Sequence, residues 1–294
     1  LVAIASLAEE QSAALEQAAA GLSELSASMG SVSEQARSVA ALTTGLSGMT
    51  ETAYNSMSRF SCGSAVDEIR VTAQQIAAEV RTVLESQVDQ GKVSLDALLD
   101  LTYQEYKGAL VDRLRGLWGD VSRVPRNGFA PPKYATAYDH LVDVALRDML
   151  DRYQETTSKL RFLIVSDLNG YSPAQNGAFC RPWTGDTKKD FRSRVKRLNC
   201  DLDGIKASRM GLDWAEREPL STGQAEVRNM ATVHSRRAFL SAGCDLKEPV
   251  GGDSRVLLQT STRKTGSIVN MLSVPLYVKG HRYGAIILGW LPEQ

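Results

Sequence analysis

Apolar and small residues recur with alternating spacings of three and four from Leu1 to Leu46, through Ile4, Ala8, Gln11, Leu15, Ala18, Leu22, Leu25, Met29, Val32, Ala36, Val39 and Thr43. A sustained 3.5-residue period predicts a coiled-coil or long bundle helix, because only that spacing keeps one seam facing a partner helix. Small seam residues such as Ala8 and Ala18 allow close helix approach. The seam weakens at Gly45 and Gly48, so residues 47–65 are expected to form a linker.

A second amphipathic pattern, with Ile69, Ala73, Ile76, Val80 and Leu84 on one face, predicts a helix from Val66 to Gln90, stopped by Gly91. Ser94 is expected to cap a short helix over Leu95–Leu101. Pro125, Asn127-Gly128 and Pro131-Pro132 mark residues 120–133 as loop. Tyr138, Val142, Leu146 and Met149 mark another helix, suited to packing on a sheet.

The run Leu160 to Ser166 is rich in β-branched and aromatic residues and reads as a buried strand, followed by a turn at Asp167-Leu168-Asn169-Gly170. Three further strands are expected over Arg255–Thr262, Ser267–Val278 and Arg282–Trp290, joined by turns at Thr265-Gly266 and Lys279-Gly280. Helices followed by an antiparallel meander indicate an α+β domain. The stretch from Arg209 to Ser254 lacks a clear pattern and is expected to be a surface insertion.

Composition adds limits. Lys+Arg and Asp+Glu are balanced at 34 each, so no global field draws the chain to nucleic acid. No apolar stretch reaches the roughly 20 residues of a membrane span. Cys62, Cys180, Cys200 and Cys244 lack metal or redox spacing, and scattered cysteines point to free thiols in a reducing compartment. The start at Leu1, inside a heptad pattern, suggests the C-terminal fragment of a longer protein. No nucleophile–base arrangement or phosphate-binding glycine loop can be read from the spacing, so no enzymatic activity, cofactor or metal is expected.

On the heptad frame Glu9 and Glu16 fall at b, and Glu10 and Gln17 at c, one heptad apart and flanked by Ala5, Ser6, Ala13, Ala14 and Ala20. Those positions point to solvent in a bundle. A solvated coiled-coil face accounts for any single pair. The repeated pairs in phase, with small neighbours, resemble the methylation segment of bacterial methyl-accepting chemotaxis receptors. The resemblance implies that Glu9, Glu10, Glu16 and, after deamidation, Gln17 are adaptation sites.

Further along, Ser166-Asp-Leu-Asn-Gly-Tyr-Ser-Pro-Ala-Gln-Asn176, Pro182-Trp-Thr-Gly-Asp186, Val256-Leu-Leu-Gln-Thr260 and Ser273-Val-Pro-Leu-Tyr-Val-Lys-Gly-His281 occur in the order of a C-terminal sensor module found in some of these receptors. That module is similar to PAS/Cache-type sensors, with a helix-flanked antiparallel sheet. Ser261 to Gly266 and Gly280 to Gly284 depart from the family's usual sequence, so no ligand is carried over.

The resemblance implies a signalling helix over 1–46, a linker over 47–65 and a cytoplasmic PAS/Cache-like domain over 66–294, in a parent that is either soluble or anchored in the inner membrane. It implies a homodimer formed through the helical bundle, a receptor methyltransferase and methylesterase, and a histidine kinase and coupling protein contacted through a part of the receptor outside this chain. Asp167, Asn169, Tyr171 and Asn176 are candidates to line a ligand site, against an Asx turn as the simpler account of Asp167 and Asn169. Arg194 and Arg197, in a basic run with Arg192 and Lys196, are candidates for an anion or acidic partner, against a solvated helix face. His281 is a weak ligand candidate beside a turn. Two other readings are a stand-alone small-molecule binding module dimerised by its coil, and a catalytic output domain on a stalk.

Overall fold

A computed structural model describes residues 2–57, 65–199, 201–212, 233–262 and 268–291. The chain divides into two units, Leu1–Ala53 and Tyr54–Gln294. The first is formed by helix α1 (Val2–Met57), whose last four residues fall in the second unit and which continues past the expected end at Leu46. Residues 47–57, expected as linker, are helical. A glycine costs only about 1 kcal/mol in a helix interior, and the run from Leu46 to Met57 contains no proline to end it. Residues 58–64 lie outside the described residues. The seam residues Leu15, Leu22, Leu25, Met29, Val32, Val39 and Leu46 are all exposed.

The second unit begins with α2 (Ala65–Asp89) and α3 (Leu95–Leu99), both close to their expected bounds. Ser94 caps α3, its Oγ accepting from the Ala97 amide at 3.1 Å. Ser94→Ala should lower the unfolding free energy by about 1 kcal/mol, measured by urea denaturation, because that amide loses its partner. Next come β1 (Gln104–Glu105), α4 (Arg115–Trp118) and β2 (Tyr134–Ala135), the two strands pairing with each other. Then follow α5 (Asp139–Thr156), β3 (Leu160–Asp167), β4 (Ala174–Gln175), α6 (Thr187–Asp190), α7 (Leu202–Ser208) and α8 (Arg236–Ser241). Strands β5 (Leu257–Thr262), β6 (Ile268–Val278) and β7 (His281–Trp290) close the unit.

The main sheet is antiparallel with order β4-β3-β7-β6-β5, which places the last strand at its centre. Helices cover both faces. On one face, Leu163 and Val165 of β3, Leu272 and Val274 of β6 and Ile286 and Leu288 of β7 pack with Ile76 and Val80 of α2 and Val142 and Leu146 of α5. On the other, Phe162, Val269 and Ile287 pack with Ala207 of α7 and with Met210 just beyond it. Burial on both sides explains why Ala285 to Trp290 reads as a continuous apolar run instead of an alternating one.

The β6–β7 hairpin turns through Lys279 and Gly280, both with positive φ (50° and 75°), as a two-residue turn requires. The other expected turn, Thr265-Gly266, lies outside the described residues.

The region 209–254, expected as a surface insertion, is described only in its flanks. Residues 213–232 are not described, but Phe239, Cys244 and Leu246 are buried with Leu101 and Leu168 in a separate apolar cluster. The short helix α8 carries only one apolar side chain into the core, too little periodicity for sequence reading to detect. Among the described residues, no helix is long and apolar enough to cross a membrane.

Candidate functional site

Asp167 ends β3 and organises the turn after it. Its Oδ1 accepts from the amides of Asn169 (2.8 Å) and Tyr171 (3.0 Å), and Gly170 donates to the Asp167 carbonyl at 3.1 Å. Gly170 has φ +77°, and a Cβ there would collide with the Asn199 carbonyl, so this position needs glycine. The Asx turn anticipated from the sequence is therefore present.

The Tyr103 hydroxyl donates to Asp167 Oδ2 at 2.6 Å. Arg209 donates to the Leu168 carbonyl (2.8 Å) and to Asn169 Oδ1 (3.1 Å), while Asn169 Nδ2 donates to the His234 carbonyl (2.8 Å). Burial pushes the Asp167 carboxyl up to about 7, against the downward pull of its donors and of Arg209. Nearby, the hydroxyls of Tyr138 and Tyr283 hydrogen-bond to each other beneath the sheet.

Tyr171 links this turn to a second centre. Its ring lies 5.3 Å from that of Tyr103, and its hydroxyl is 2.8 Å from Asp139 Oδ2 and 2.9 Å from the Tyr134 carbonyl. Tyr106 also donates to Asp139 Oδ2, at 2.8 Å. Lys196 Nζ lies 3.1 Å from that same oxygen and pairs with Asp143 as well.

Lys196, Asp139 and Asp143 are almost fully buried, and Arg113 reaches Asp139 Oδ1 at 3.3 Å from the half-buried rim. Burial alone would raise Asp139, but Lys196, the hydrogen bonds from Tyr106 and Tyr171 and the neighbouring His140 outweigh it and hold the carboxyl well below its ordinary range. Asp143 has fewer donors, burial dominates, and its carboxyl is raised. One of its oxygens, Oδ2, has no hydrogen-bond partner among the described residues. Burial would lower Lys196, but the two carboxylates more than compensate and keep it protonated.

The structure thus brings Asp167, Asn169 and Tyr171 together and engages each in internal hydrogen bonds. Asn176 lies apart, accepting from the Leu163 amide at 3.0 Å and donating to Gln154. The basic run is not a helix face. Lys196 adopts φ 63° and turns inward, Arg194 is exposed, and Arg197 stacks 5.3 Å from the Phe191 ring centroid. A left-handed residue reverses the local chain direction, so neighbouring side chains part company, which no charge pattern signals. His281 is half-buried at the start of β7, opposite Val278.

On α1, Glu16 and Gln17 are exposed. Glu9 and Glu10 belong to the same helix.

Sequence reading missed the ion cluster. A signal was available: Asp139 and Asp143 are four residues apart, on the same side of α5 as Val142 and Leu146. Acidic residues on a helix's apolar face require a buried cation. What the spacing does not disclose is which cation, because Lys196 is distant in sequence. Chemically, the network carries a carboxyl poised to hold a proton near neutrality and an ion cluster that ties α5 to the turn around residue 196. No protein-family model, curated protein or solved structure matches the chain.

Proposed function

We propose that the chain is the C-terminal part of a methyl-accepting chemotaxis receptor, carrying adaptation sites on α1 and a PAS/Cache-like sensor in residues 66–294. The observation that carries this reading is the heptad-spaced pair of Glu-Glu and Glu-Gln on one long, unbroken helix whose apolar seam is exposed. An exposed seam of leucine, valine and methionine needs a partner helix, as a receptor bundle provides.

Glu16 and Gln17 are exposed, as an enzyme that esterifies a carboxylate requires. Methylation removes negative charge from the bundle surface and shifts its packing by up to about 1 kcal/mol per site. Summed over several sites, such increments bias a two-state output read by a histidine kinase. The five-stranded antiparallel sheet with helices on its faces supports the sensor assignment.

The decisive experiment incubates the parent receptor with methyltransferase and methyl donor and maps the esters by peptide mass spectrometry. Esters at Glu9, Glu10, Glu16 and deamidated Gln17 are expected. No label on peptides spanning residues 5–21 would refute the assignment.

A further inference from the structure

We propose that the sheet face covered by α7 binds a small, neutral, flat molecule that presents a hydrogen-bond donor and acceptor side by side, such as a nucleobase or an aromatic amide, with Gln259 and Ser273 as the reading groups. The proposal rests on the sensor reading above and names the chemistry of its ligand.

Gln259 of β5 stands opposite Met271, and Ser273 of β6 stands opposite Leu257. The two are therefore diagonal neighbours on one face, roughly 7–8 Å apart along the backbone. Both are buried, Gln259 at 2% exposure and Ser273 at 0%. Among the described residues, Gln259 Nε2, Gln259 Oε1 and Ser273 Oγ all lack a hydrogen-bond partner. Buried polar atoms are nearly always satisfied, so three unpaired atoms on two adjacent side chains form a concentrated exception.

The same face shows the ordinary solution nearby. Ser166 Oγ, on β3, is paired with Ser208 Oγ of α7 at 2.8 Å. The helix thus completes one buried hydroxyl and leaves the carboxamide and hydroxyl on β5 and β6 open.

The chemistry of the open groups selects the ligand. A glutamine carboxamide offers a donor and an acceptor in one plane, and it reads an adjacent acceptor and donor, as on the edge of a purine. The neighbouring side chains Leu257, Val269, Met271, Ala207 and Met210 are apolar, which favours a flat uncharged ring over an anion. Gln175 Oε1 is also unpartnered on this face, but it lies three strand spacings from Ser273, roughly 14 Å away, beyond the reach of one small ring.

The test titrates the full chain by calorimetry with adenine, uracil and nicotinamide in turn. Saturable binding of at least one is expected, weakened at least about tenfold by Gln259→Leu and by Ser273→Ala. Ser273→Ala removes a single atom, and it keeps the test valid if the leucine variant misfolds. Absence of saturable binding by all three compounds overturns the proposal, as does binding that both variants retain. The mapping of esters on residues 5–21 is independent: esters without binding refute this site and leave the receptor reading standing. Gln259-dependent binding without esters supports the site and refutes the receptor reading.

Discussion

Replacing Lys196 by methionine should lower the unfolding free energy by about 3–5 kcal/mol, because it strands Asp139 and Asp143 in the interior without their cation. The methionine fills much of the same volume, so the loss is electrostatic and not a cavity. Asp139 retains the Tyr106 and Tyr171 hydroxyls and Arg113. Asp143 loses its charged partner while its second oxygen is already unpaired. Adding Asp143→Leu to the lysine variant should therefore recover stability, with a coupling of about 0.5–3 kcal/mol. Urea denaturation of both single variants and the double variant measures it. Additive losses would show that the pair is not coupled and that the cluster does not hold α5 in place.

The second large effect concerns pH. Asp167 titrates at about 7 in the folded chain because of burial, against about 3.9 for an unfolded aspartate. Between those values the folded protein holds a proton that the unfolded chain has released. Folding stability attributable to this residue thus declines as pH rises from about 4 to about 7 and levels off above that. The total is on the order of 4 kcal/mol, from about three pH units at 1.36 kcal/mol each.

Asp167→Asn should remove the decline. Its amide oxygen still accepts from Asn169 and Tyr171, and the Tyr103 hydroxyl becomes an acceptor for the new amide group. Stability curves of the two proteins from pH 4 to 8 should diverge progressively in favour of the variant. Parallel curves would show that Asp167 is ionised throughout.

Local chemistry made much of the fold legible. Strands β3, β6 and β7 and helices α2 and α3 fall within a few residues of where side-chain period, Ser94 and Gly91 place them. The turns at Asp167 and at Lys279-Gly280 were readable because they need side-chain acceptors or positive φ, both visible in single residues. What escaped depends on distance along the chain. Tyr103 and Arg209 reach the Asp167 turn from segments with no pattern of their own. In the sequence Lys196 is one member of a basic run suited to a solvated face, and its left-handed backbone sends it inward. Gly45 and Gly48 do not break α1, because each costs less than the helix around it contributes. The unpaired atoms of Gln259 and Ser273 could not be read at all, since an alternating strand does not state which of its faces a helix will cover.

The central position of β7 carries a consequence for synthesis of the protein. Strand β3 and strand β6 both pair with β7, and α2 packs against β6 and β7, although α2 is made first in this unit and β7 last. Until β7 is made, β3 has no central neighbour and α2 lacks part of the sheet it packs on. The sheet therefore completes only after Trp290 has left the exit tunnel. Such long-range closure favours slower folding than in helical bundles and prolongs the time during which strand edges stand unpaired.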